Sequence, residues 1–130
     1  MRLYSVEEAR AMLPQVIPIV EQVRDAFLHL RAFQAATAAE ARGATGDGNL
    51  MADPWAGSGE NLVEAHSQSL RRATAQLDSW GIEVKDPEKG LIDFYHERDG
   101  DVVCLCYMLG EPDIGYWHTT QAGFAGRRPL

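Results

Sequence analysis

The chain has 130 residues, 45% of them hydrophobic, which is enough apolar material for one domain with a core of its own. Twelve Lys and Arg against nineteen Asp and Glu leave a net charge of −7, a field that opposes phosphate backbones and anionic headgroups, so neither nucleic acid nor a membrane is an expected partner. The longest apolar runs fall far short of the roughly 20 residues that span a bilayer, and Met1 to Glu8 contain no signal-peptide run, so a cytoplasmic protein is expected.

Ser5 followed by Glu8 has the spacing of a capping box, and a helix over 5–42 is predicted from it. Leu13, Val16, Val20, Val23, Phe27 and Leu30 recur at alternating steps of three and four, which keeps them on one helical face. Pro14 and Pro18 interrupt that pattern and predict a bend or a late start. Gly43 to Gly59, with five glycines and one proline, reads as a flexible loop, with Trp55 its one residue suited to docking. A second helix is predicted over 60–80, carrying Val63, His66, Leu70, Ala73, Leu77 and Trp80 at the same spacing before Gly81 stops it. The two stripes make a long antiparallel helical hairpin. His66 on the seam reads as a core or edge histidine, and Arg71 and Arg72 as a solvated face.

A β-rich region is predicted over 82–119, followed by an ordered C-terminal segment over 120–130. Within it, 90–97 and 102–108 flank Asp99-Gly100, a strong hairpin signal. A two-residue turn there sets Asp93 opposite Cys106 and Tyr95 opposite Cys104. Ile92, Phe94, His96, Val103, Leu105 and Tyr107 then pack on the helices. Leu91, Asp93, Tyr95, Cys104, Cys106 and Met108 fall on the other, outward face. Cys104 and Cys106 stand two apart, a spacing that excludes a disulfide framework. The expected fold is one α+β domain over 1–130, with the helical hairpin on a small antiparallel sheet.

The closing stretch sets Glu111, Asp113, His118 and Arg127 among glycines and aromatics. Lys89-Gly90-Leu91-Ile92-Asp93-Phe94, Cys106-Tyr107-Met108-Leu109-Gly110-Glu111, Trp117-His118 and Gly123-Phe124-Ala125-Gly126-Arg127 resemble the bacterial family catalogued as domain of unknown function 2203. The likeness runs from Tyr4-Ser5-Val6-Glu7-Glu8-Ala9 and Leu13-Pro14 to the end of the chain, with Tyr107 where many relatives carry Trp. It implies no activity and no catalytic residue.

Asp93, Cys106, Glu111 and His118 are the candidate metal ligands, zinc being the ion that imidazole and thiolate suit best. Arg127, Trp117 and Tyr107 are the candidate ligand-binding residues, with a small anion the natural guest of Arg127. Their spacing matches no standard motif, and the carboxylate facing Cys106 raises its thiol, the wrong direction for a nucleophile. Two functions compete. One is a binding or assembly module, a homo-oligomer or a protein's partner, because two long stripes exceed what a small sheet covers. The other is a small metal-dependent enzyme or metal sensor built on Asp93, Glu111 and His118.

Overall fold

A computed structural model describes residues 1–43 and 56–130. Most of the 43–59 segment, Trp55 included, lies outside the described residues. Helix α1 is Val6–Gly43 and helix α2 is Ala56–Ser79, four residues earlier than the periodicity predicts. Strands β1 (Ile82–Asp86), β2 (Leu91–Arg98), β3 (Asp101–Met108), β4 (Tyr116–Thr119) and β5 (Arg128–Pro129) form one sheet in the order β1-β2-β3-β4-β5, every neighbouring pair antiparallel. The architecture is the expected α+β one. Among the described residues, no helix is long and apolar enough to cross a membrane.

The capping box forms as its spacing requires. The Glu8 backbone N–H donates to Ser5 Oγ and the Ser5 N–H donates to Glu8 Oε1, both at 3.0 Å. α1 therefore begins before both prolines, and the late start is corrected. Pro14 and Pro18 stand four residues apart on the exposed face of the helix. The carbonyls that they leave without an N–H partner, those of Arg10 and Pro14, lie where water can serve them. The hydrogen bonds from Ser5, backbone first and hydroxyl second, hold the Glu8 carboxyl below its ordinary range. Its contribution is therefore complete above the ordinary carboxylate range and fades as pH falls through the lowered value. Ser5→Ala is expected to cost about 1 kcal/mol. Acid unfolding monitored by circular dichroism should show a shallower pH dependence in that variant.

The core lies between the helices and one face of the sheet. Ala9, Leu13, Val16, Val20 and Val23 of α1 and Ala73 and Leu77 of α2 pack with Ile82, Ile92, Phe94, Leu105 and Tyr107. The N-terminal segment closes one edge, where the Tyr4 N–H donates to the Tyr95 carbonyl at 2.7 Å and the Tyr4 hydroxyl donates to the Trp80 carbonyl. Asp99 (φ 52°) and Gly100 (φ 85°) both take left-handed conformations, as a type I′ turn demands. The β2–β3 register follows, with Asp93 opposite Cys106 and Tyr95 opposite Cys104. At the other end of the hairpin, Gly90 (φ 65°) has no room for a side chain, since a Cβ there would lie 2.3 Å from Leu109 Cδ1.

The second face of the sheet departs from expectation. It is not open: Asp93, Cys104 and Cys106 are all buried. Residues 120–126, a turn and a short 3₁₀ helix at Phe124–Gly126, follow β4, and 120–124 line the cleft over this face before β5 rejoins the sheet edge.

Candidate functional site

Strand alternation and register bring four reactive side chains together on that covered face. Asp93 on β2 stands opposite Cys106 on β3, and Cys104, two residues back on β3, stands opposite His118 on β4. Asp93 and His118 then meet across β3, with His118 Nε2 3.0 Å from Asp93 Oδ1, the two side chains 0% and 3% exposed. His118 Nδ1 lies 2.8 Å from the Thr119 carbonyl. A carbonyl only accepts, so the network assigns a proton to Nδ1 and leaves Nε2 to share one with the carboxylate. The second carboxylate oxygen, Asp93 Oδ2, is buried with no hydrogen-bond partner. One donor atom from each of Asp93, Cys106 and His118 lies within 4.8 Å of the other two.

Burial pushes both thiols up to about 12, with the Asp93 charge the next cause. Neither cysteine is a thiolate nucleophile in this setting, and the His118 imidazole is already engaged by Asp93. A divalent ion among these groups reverses that preference, because a coordinated thiol gives up its proton. The orphaned oxygen, the fixed imidazole tautomer and the adjacent sulfur form a donor set suited to zinc.

Glu111 stands outside this group. Its Oε1 accepts from Arg127 Nη2 at 2.6 Å and from the Met108 backbone N–H at 2.7 Å. The expectation that Glu111 joins Asp93, Cys106 and His118 as a metal ligand is therefore corrected. Arg127 completes a clamp: Nη2 also reaches the Cys106 carbonyl at 3.4 Å, and the guanidinium lies over the rings of Tyr116 (4.2 Å) and Phe124 (4.7 Å). Its fork secures the C-terminal segment instead of facing a guest. Tyr107 lies buried on the opposite face of the sheet and donates its hydroxyl to the Glu111 carbonyl at 3.0 Å. Trp117 also packs on the core side, with the Arg98 and Arg128 guanidiniums over its ring. Of the seven residues singled out from sequence, three converge and four brace the surroundings.

A cleft of about 190 Å³ opens onto Asp93 and His118, walled by Lys85, Leu91, Gln121 and Phe124 among others. Lys85 was missed by the sequence reading, although the alternation of β1 places it with Glu83 on the Asp93 face. Its Nζ lies 3.0 Å from Glu83 Oε1, and Glu83 also accepts from the Tyr95 hydroxyl. The hydrogen bond from Tyr95, then that from Lys85, holds the Glu83 carboxyl below its ordinary range.

No curated protein and no solved structure matches the chain. The family described as "Uncharacterized conserved protein (DUF2203)" matches over residues 2–130, and the chain belongs to it.

Proposed function

We propose that this protein is a metal-binding module that holds one divalent ion, zinc by the chemistry of the donors, between Asp93, Cys106 and His118. The observation that carries the reading is the convergence of the three donor atoms within 4.8 Å. The reading is supported by the buried, unpartnered Asp93 Oδ2, because an ion offers that oxygen the partner it lacks. It is supported also by the His118 Nδ1 contact to a backbone carbonyl, the arrangement that directs Nε2 at a metal. Three protein donors leave the fourth position of a tetrahedral ion for an exogenous ligand, the pattern of metal sites that work on a substrate or sense a ligand. Protein purified without an affinity tag should carry about one equivalent of zinc by elemental analysis, and H118A should carry about 10-fold less or lower still. R127A, which changes only the clamp, should retain the metal. Metal-free wild-type protein that takes up no zinc on reconstitution would contradict the reading.

Self-association is a second reading with an observation of its own. Between α1 and α2, Phe33 and Leu62 are 41% and 58% exposed in an apolar groove lined also by Leu30, Val63 and the stacked rings of His29 and His66. A second copy meeting this groove would cover them. Light scattering at micromolar concentration should then give a multiple of 14.4 kDa, reduced toward the monomer in L62E. A wild-type mass equal to the monomer would contradict this reading.

A further inference from the structure

We propose that the cleft over Asp93 and His118 takes a small monocarboxylate, one oxygen in the free position of the metal and the other facing the Lys85 ammonium. The inference rests on the metal reading and names the ligand class that completes the site. The cleft floor is formed by Asp93 and His118, so a guest entering it meets the ion that they hold. Its volume of about 190 Å³ equals roughly six waters at their liquid share, which admits an acid the size of acetate or propionate.

Charge selects within that size. Asp93 as carboxylate and Cys106 as thiolate cancel a divalent ion, and Lys85 is the only cationic side chain that lines the cleft among the described residues. Its ammonium has three N–H donors, one of them directed at Glu83 at 3.0 Å, which leaves donors for one oxygen of a guest. A phosphate dianion would need a second cation or a guanidinium fork, and neither is among the side chains that line the cleft. Leu91 and Phe124 give the wall an apolar stretch for the methyl or ethyl group of the acid.

The test uses the full chain loaded with one equivalent of cobalt(II), whose visible bands report changes in its ligand shell. Sodium propionate should shift those bands saturably, while propionamide, its neutral counterpart, and inorganic phosphate should leave them in place. K85M should bind cobalt with the same stoichiometry but take propionate about 10-fold more weakly, the loss of one charge-assisted contact. A cobalt-loaded protein whose spectrum ignores propionate, or a K85M variant that binds it as well as wild type, would overturn the proposal. Failure to take up cobalt at all would overturn the metal reading and this inference with it.

Discussion

H118A is expected to lower the melting temperature of the metal-free protein by about 10–25 °C. The imidazole is the one full-strength hydrogen-bond partner of an aspartate that is 0% exposed, 3.0 Å away through Asp93 Oδ1, while Oδ2 already has no partner. Truncation leaves a carboxylate buried and uncompensated, a change that costs about 3–5 kcal/mol. A chain of this size converts each kcal/mol into roughly 3–5 °C, so the drop is large and easily measured by calorimetry. Replacing both partners by apolar residues of similar volume, D93L with H118F, should recover most of the loss, because no charge is then left to desolvate. Added zinc should raise the melting temperature of wild type and leave that of H118A where it was. An H118A protein as stable as wild type would mean that the two side chains do not form a buried pair.

F94A is the second large effect, and it falls on the opposite face of the same strand. Phe94 is fully buried and meets the Tyr4 ring edge to face, centroids 5.2 Å apart and planes at 86°. Tyr4 is in turn tied to the end of α2 through the Trp80 carbonyl and to β2 through the Tyr95 carbonyl. Truncation opens a cavity where sheet, hairpin and N-terminal segment meet, at about 3–5 kcal/mol. That is a large share of the 5–15 kcal/mol typical of a whole domain, and urea unfolding should show it as a lower midpoint. Zinc uptake at low temperature should persist, because Asp93 and Phe94 point to different faces of β2. Loss of stability together with loss of metal would show that the two faces are not independent.

These two residues mark how far the sequence could be read. Alternation along β2 and a turn type fixed by Asp99-Gly100 separate Phe94 from Asp93 and set Asp93 against Cys106, all from local rules. The capping box at Ser5 and Glu8 is local as well. The arrival of His118 beside Asp93 is a longer inference, because it depends on β4 pairing with β3 with Cys104 opposite His118, and no turn signal fixes that register. The direction of Glu111 is set by the Met108 N–H, three residues away, together with an ion pair to Arg127, 16 residues away, which no local pattern announces. The same distance hid the cover over the site. Residues 120–126 read as an ordered segment, but nothing in their spacing says which face of the sheet they fold against. Lys85 was legible by alternation, yet a lone lysine beside a glutamate reads as an ordinary surface pair until the cleft between β1 and that segment is seen.

X-ray absorption at the zinc edge of the reconstituted wild-type protein tests the central claim most directly. Asp93, Cys106 and His118 around one ion predict a single sulfur at about 2.3 Å, with nitrogen and oxygen scatterers at about 2.0–2.2 Å. The sulfur shell should vanish in C106S. Zinc held by nitrogen and oxygen alone in wild type, or a protein that binds none, would contradict the account.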